Sequence, residues 1–424
     1  MKKHLLASTL ALSLAAAAHA TPCSTTTDES ASTPLLYSAK AGDTKNLHCL
    51  LNNGANVNAT DKLHGDAALM LAAGSGHTDA VRTLIEKGAG VNAANRYGRT
   101  ALMWAARKGH TGTLALLLDK GANIHATDNN GSTALMLAAQ GNHTAAARLL
   151  IEKGARVDAT SKTGATALMG AAHEGSTDAI GLLLENGANI NATDENGWTA
   201  LFWAADSTHA DAARLLLEKG ADASTTDKDG STALMLAAQH HSHTDTISLL
   251  LEKGASVNAA NKDGRTALAW AATNNQVGIV RLLMEKGADV GAVDKNGLTA
   301  LTLAALAGHT DTVDLLLEKG ANINASNSGG WTALLVAANM GHTGAVRLLL
   351  ERGADVNATS GGATALMIAA YRGQTDMVRL LLERGANANA RSSDGETPLS
   401  LAKRSKGGNG SDIVRLLQAA GAKE

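Results

Sequence analysis

Residues Asp128–Thr160 read DNNGSTALMLAAQGNHTAAARLLIEKGARVDAT, and variants of this stretch fill most of the 424-residue chain. Each copy ends near a Gly-Ala pair, and the pairs recur about every 33 residues, a period typical of helix-pair repeat arrays. The glycines of the pairs are Gly54, Gly88, Gly121, Gly154, Gly187, Gly220, Gly254, Gly287, Gly320, Gly353, Gly385 and Gly421. The chain is therefore predicted to be an array of about twelve similar units.

Each copy contains two short helical patterns and a polar turn. Leu135, Ala138 and Ala139 are spaced to share one face of a first helix, which the hydroxyl of Thr133 would cap. A second helix with the same spacing ends at Gly154, and the polar stretch after it predicts an extended turn towards the next unit. Neither helix is long enough to be stable alone, so each unit must stack on its neighbours.

These residues resemble the ankyrin repeat family, whose pattern is D-x-x-G-x-T-P-L-H-x-A-A-x-x-G-H, a Leu-rich helix and G-A-x-x-N-A. In one copy the matching positions are Asp294, Gly297, Thr299, Leu301, Ala304, Ala305, Gly308, His309, Leu315, Leu316, Gly320, Ala321, Asn324 and Ala325. The resemblance covers residues 33–424 and implies an all-α ankyrin-repeat solenoid of about twelve helix-turn-helix units with projecting turns, the first and last units being caps. Internal units depart from the family pattern, because Thr-Ala-Leu, mostly followed by Met, replaces Thr-Pro-Leu-His.

The N-terminal residues predict export. Lys2 and Lys3 precede an apolar run, and Ala20 ends a small-residue cleavage site, so residues 1–20 are interpreted as a signal peptide. The alternative is an apolar N-terminal helix of the mature protein. The run is too short to cross a bilayer, so no membrane insertion is expected after cleavage. Residues 21–32 are interpreted as a flexible leader, and the mature protein is expected to be periplasmic or secreted, from a bacterium.

The chain has only two cysteines, Cys23 in the leader and Cys49 in the second helix of the first unit. Because an exported protein meets an oxidising environment, we hypothesise a Cys23–Cys49 disulfide that ties the leader to the first unit. Two free thiols are the alternative.

No pattern typical of catalysis or of nucleic-acid binding is present. The 37 Lys and Arg residues are balanced by 39 Asp and Glu residues, without the basic stripe that duplex binding needs. No nucleophile motif, dinucleotide fingerprint or phosphate loop occurs, so neither an enzyme nor a cofactor is predicted. Carboxylates such as Asp128 recur in nearly every unit, which indicates that they shape the turn.

Histidines recur at one repeat position. We expect them to bond the backbone of a neighbouring turn, since rings one repeat apart, ~10 Å, are too distant to share a metal. These histidines are His77, His110, His143, His209, His243, His309 and His342. The turn that contains His240, His241 and His243 is a separate candidate for weak metal binding, with a solvated turn as the favoured interpretation.

Positions that vary between units are predicted to bind a partner. By the family resemblance, the residue after the turn glycine lies near the turn tip, and the pair after Ala-Ala lies on the concave face of the first helices. Trp, Tyr and Arg are enriched at binding hot spots. The predicted partner-binding residues are Arg99, Arg107, Lys108, Trp198, Arg265, Trp331, Tyr371 and Arg372. For Trp198 and Trp331 the alternative is packing on an adjacent turn, and Trp104, Trp203 and Trp270 are predicted to pack.

The sequence thus predicts a monomeric, periplasmic protein-interaction scaffold for an unidentified protein partner, binding through the concave face and the turn tips. The alternatives are an immunity or inhibitor protein against an envelope-acting enzyme or toxin, and a weak metal-binding protein that uses the His240–His243 turn.

Overall fold

The computed structural model describes residues 23–24, 33–240, 244–405 and 409–423. The predicted signal peptide (1–20) and all of the predicted leader (21–32) except Cys23 and Ser24 lie outside the described residues.

Over the described residues the chain forms 24 helices, which follow one another as twelve pairs. The first helices of the pairs are α1 (Pro34–Ala41), α3 (Ala68–Gly74), α5 (Ala101–Arg107), α7 (Ala134–Gln140), α9 (Ala167–His173), α11 (Ala200–Asp206), α13 (Ala233–Gln239), α15 (Ala267–Thr273), α17 (Ala300–Ala307), α19 (Ala333–Met340), α21 (Ala365–Arg372) and α23 (Pro398–Lys403). The second helices are α2 (Thr44–Asn52), α4 (Thr78–Glu86), α6 (Thr111–Asp119), α8 (Thr144–Glu152), α10 (Thr177–Glu185), α12 (Ala210–Glu218), α14 (Thr244–Glu252), α16 (Val277–Glu285), α18 (Thr310–Glu318), α20 (Thr343–Glu351), α22 (Thr375–Glu383) and α24 (Gly410–Ala419). The predicted helix-turn-helix array is confirmed.

The first helices begin where the sequence predicts. The Oγ1 atom of Thr133 accepts a hydrogen bond from the N–H of Met136 at 3.3 Å, and Thr100 caps α5 in the same way. Each such bond satisfies one of the backbone donors that a helix start leaves without a partner. Leu135, Ala138 and Ala139 are buried, so the predicted apolar face of α7 is its packed face.

By its internal contacts the chain divides into two compact parts, called the N-terminal part and the C-terminal part, which are described separately. The first runs to Ala171 and includes Asp178–Asn189, and within it the first helices α1, α3, α5 and α7 pack in sequence order. The second comprises Ala172–Thr177 and the chain from Ile190, and within it α11, α13, α15, α17, α19, α21 and α23 pack in the same order. Small Ala side chains at these contacts let neighbouring helices approach closely.

The turns are joined to one another by backbone hydrogen bonds. In the N-terminal part, the N–H of Asn129 donates to the carbonyl of Tyr97 at 2.8 Å. In the C-terminal part, the N–H of Lys228 donates to the carbonyl of Asn196 at 2.9 Å. Within a turn, the Asp128 carboxylate accepts the N–H groups of Asn130 and Ser132, both at 2.9 Å. The prediction that the recurrent carboxylates shape the turns is confirmed.

One turn also contains short strands. The two-residue strands β1 (Thr359–Ser360) and β2 (Ala363–Thr364) pair antiparallel immediately before α21. Of the helices in the described ranges, none has the length and apolar character to cross a membrane.

Candidate functional site

Trp198, predicted either to contact a partner or to pack on an adjacent turn, packs on its own unit and on the next turn. Its indole Nε1 donates to Oδ2 of Asp227 at 3.2 Å. Its ring lies 4.9 Å from that of Trp203 in an edge-on arrangement, which is favourable for aromatic pairs. The side chain remains half-buried, so part of it still belongs to the surface.

Arg99 and Arg265 repeat this arrangement. The guanidinium of Arg265 lies 4.6 Å from the ring centre of Trp270, and that of Arg99 lies 5.8 Å from the ring centre of Trp104. The Nε atom of Arg99 is also 3.5 Å from Oδ2 of Asp128 on the next turn. The residue after the turn glycine therefore lies over a Trp of the first helix in three different units.

Trp104, Trp203 and Trp270 are half-buried in their first helices, as the packing interpretation predicts. The Nε1 atoms of Trp104 and Trp203 are buried and make no hydrogen bond to the described part of the chain. These rings contribute apolar area and not polar recognition.

The other predicted partner-binding residues differ in exposure. Arg107 and Lys108, in the N-terminal part, are exposed at the end of α5. In the C-terminal part, Trp331 and Tyr371 are half-buried. Arg372, also in that part, donates from Nε and Nη2 to Oδ1 of Asn339, at 3.0 and 2.7 Å. These side chains are available to a partner, and their binding role stays a prediction.

The recurrent histidines bond backbone, as predicted, but their acceptor is the end of the preceding first helix and not a turn. In five units the histidine Nε2 meets a carbonyl oxygen of the preceding unit at 3.0 or 3.1 Å. The pairs are His77 with Lys40, His110 with Gly74, His143 with Arg107, His309 with Thr273, and His342 with Leu306. These rings join adjacent units, while His243 lies outside the described residues.

The candidate metal turn is described only at His240. Its Nε2 lies 3.0 Å from Oδ1 of Asp206, so this ring already has a partner. His241 and His243 lie outside the described residues, and the metal hypothesis stays untested.

A second group with metal-ligand chemistry, Asp61, His64 and Asp66, brings its ligand atoms within 4.8 Å of one another. The Asp61 carboxylate accepts the N–H groups of Leu63 (2.7 Å), His64 (2.6 Å) and Asp66 (2.8 Å). Partial burial raises the pKa of Asp61, but these backbone N–H groups together lower it below its ordinary value. The group is accounted for as the scaffold of its turn.

Five large apolar side chains in the described ranges are exposed. Tyr37 is 38% exposed, Leu63 64%, Tyr97 50%, and Val293 and Met340 52% each. Leu63 and Tyr97 were not among the predicted partner-binding residues. Leu63 and Tyr97 occupy turn tips, where the other units carry polar residues, and that departure from the repeat pattern is readable in the sequence.

Cys23 and Ser24, the described residues of the predicted leader, are attached to the first helix pair. Cys23 and Cys49 form a disulfide with their Cα atoms 5.6 Å apart. Asn46, which is buried, accepts from the N–H of Ser24 at 2.9 Å and donates to its carbonyl at 3.1 Å. These contacts fix the described part of the leader against α2.

Comparison with known families is consistent along the chain. A family model described as "Ankyrin repeats (3 copies)" matches residues 9–95, 35–128, 89–161, 114–194, 154–227, 219–294 and 287–360. A second, "Ankyrin repeats (many copies)", matches residues 349–402. No curated protein matches the chain.

Proposed function

The chain belongs to the ankyrin repeat family, and on that premise we propose that it is an exported scaffold that binds a partner protein through its first helices and turn tips. Ankyrin repeats indicate protein–protein interaction, and proteins built from them are in general non-enzymatic binding scaffolds. Export of the protein, and binding through the first helices and turn tips, are the two points that we propose beyond this family property.

The packing of Trp198 is the main observation that supports this binding surface. Its ring is held by Trp203 and by Asp227, yet it stays half-exposed. A rigid aromatic side chain loses little conformational entropy when a partner covers it, which is typical of hot spots. Trp331 occupies the same repeat position and is also half-exposed.

Export to a periplasm or to the outside is supported by residues 1–20 and by the Cys23–Cys49 disulfide, since disulfides persist in oxidising compartments. N-terminal sequencing of the protein from a periplasmic fraction should begin at Thr21. An N-terminus at Met1, or a purely cytosolic protein, would contradict export.

The partner-binding surface is tested by co-purification. The tagged chain and its Trp198→Ala/Trp331→Ala variant are recovered from periplasmic extract, and bound proteins are identified by mass spectrometry. The matched control replaces Arg148 and Arg214, which are exposed on the second helices α8 and α12, with alanine. We expect the tryptophan variant to lose partners that the control retains, with both variants equally helical by circular dichroism. An unchanged partner set would refute the assigned surface.

We also propose that the scaffold acts as a monomer. We further propose that it does not bind nucleic acid, because its charges are nearly balanced. Light scattering that gives twice the chain mass, or retention on DNA at physiological salt, would contradict these points.

A further inference from the structure

Two adjacent turn tips differ from the others in being apolar. The second and third helix pairs are each preceded by a turn whose tip carries a large apolar side chain, Leu63 and Tyr97, respectively. The corresponding tips of later turns are polar, and include Asn129-Asn130, Lys162-Thr163, Glu195-Asn196, Lys228-Asp229, Lys262-Asp263 and Lys295-Asn296. Exposed apolar side chains that cluster in one place mark interaction sites more often than single ones do.

The two tips are fastened to each other. The N–H of Arg96 donates to the carbonyl of His64 at 3.0 Å, and its Nη1 donates to the carbonyl of Leu63 at 3.1 Å. The rings of His64 and Tyr97 lie 5.9 Å apart. We call Lys62, Leu63, His64, Arg96 and Tyr97 the tip patch. All of these residues lie in the N-terminal part, and all are exposed. Because the two hydrogen bonds hold the tips together, the patch is preorganised for a partner.

The charges of the tip patch that face solvent are positive. Lys62 and Arg96 are exposed, whereas the nearby carboxylates are engaged by the chain. Asp61 accepts three backbone N–H groups, and buried Asp66 accepts from Nδ2 of Asn95 at 2.7 Å. An approaching segment therefore meets cations around an apolar centre, which favours an acidic partner.

We propose that the tip patch docks an acidic segment of the partner protein, with an apolar side chain of that segment covering Leu63 and Tyr97. The segment's carboxylates face Lys62 and Arg96. This inference rests on the proposed scaffold function and specifies the chemistry of its partner.

The test pans a phage-displayed random dodecapeptide library on the purified full-length chain. Enriched peptides are then measured by fluorescence anisotropy against the chain, a Leu63→Asn/Tyr97→Asn variant and a Val293→Asn control. Asparagine is chosen because it occurs at other turn tips. Val293 is chosen because it is a comparably exposed apolar residue of the C-terminal part. Binding is repeated at low and high salt and with Lys62→Glu.

We expect a class of peptides that combines Asp or Glu with Leu, Phe or Trp. The double variant should weaken their binding by about tenfold or more, the loss expected when hot-spot side chains are removed. Lys62→Glu and high salt should weaken binding further, and Val293→Asn should leave it unchanged. The inference is overturned if no enriched peptide depends on Leu63 and Tyr97, or if the dependent peptides are basic or uncharged. Partner loss with the Trp198/Trp331 variant would then leave the scaffold function standing, so the two failures are distinguishable.

Discussion

Replacing Gly109 with alanine should weaken the junction between two neighbouring helix pairs. Gly109 follows α5 with φ +71°, in the left-handed region. A Cβ atom there would lie 2.5 Å from Nδ1 and 2.7 Å from Cγ of His143. That ring bonds the carbonyl of Arg107 through Nε2 at 3.0 Å, so displacing it strains the contact between the pairs. Gly121 provides the control, since its φ is +84° and a Cβ there would have no atom within 4 Å.

The two variants share one loss and differ in another. Left-handed backbone costs an alanine about 1 kcal/mol relative to glycine, so Gly121→Ala should destabilise by about that much. Gly109→Ala adds a weakened hydrogen bond, about 1 kcal/mol, and local repacking of about 1 kcal/mol or more, for a total near 3 kcal/mol. The total is kept moderate because Asn275, with φ +56°, coexists with a 3.0 Å bond from His309 to Thr273, so such a ring can adjust.

The assay is urea unfolding followed by circular dichroism, with hydrogen exchange to locate the opening at α5 and α7. A double-mutant cycle with His143→Ser isolates the ring contact, and serine already occurs at this repeat position as Ser176. Gly109→Ala should be less destabilising in the His143→Ser background. Equal losses for Gly109→Ala and Gly121→Ala, or an absence of coupling to His143, would refute the packing argument.

Three further predictions follow from single residues. Phe202, the only phenylalanine in the sequence, is fully buried, so Phe202→Ala should lower the opening free energy of the flanking helices by about 3–5 kcal/mol and Phe202→Met by less than about 1.5 kcal/mol, measured by hydrogen exchange; similar small losses for both would contradict it. Thr208 is β-branched at φ +61°, so Thr208→Gly should stabilise by roughly 0.5–1 kcal/mol in urea, and a loss of stability would count against strain there. Because the folded-state pKa of Asp61 is lowered, the stability it contributes is present above its unfolded pKa and lost as pH falls through the folded one. In acid titrations of stability, the advantage of wild type over Asp61→Asn should therefore begin to shrink at about pH 4, the unfolded pKa, and vanish only below the lower folded-state pKa; a gap that widens there would be the contrary result.

The fold was predictable because its signals repeat. The threonine cap, the Ala-Ala face and the closing Gly-Ala pair recur in unit after unit, so a deviation in one copy does not hide the pattern. The backbone-bonding role of the histidines was also predictable, because a residue present in most units serves the repeat. Their acceptor was not, since it depends on how far the ring reaches across a helix junction.

The surface residues were harder to interpret. Whether Trp198 projects or packs depends on where Asp227 lies on the next turn, and sequence spacing does not give that distance. Leu63 and Tyr97 were not predicted, because the turn-tip prediction was confined to the residue after the turn glycine, which in the turn of Tyr97 is Arg99, two residues further along the chain. The partner itself leaves no mark in a repeat pattern, because that pattern records what the units need from each other.

Two kinds of contact between helix pairs share one direction along the chain. The histidine rings and the turn N–H groups described above reach back to carbonyl oxygens earlier in the chain. A newly made segment thus finds its acceptors already in place as the polypeptide emerges from its N-terminus. Such a chain can assemble progressively while it is being synthesised, without waiting for its last residues.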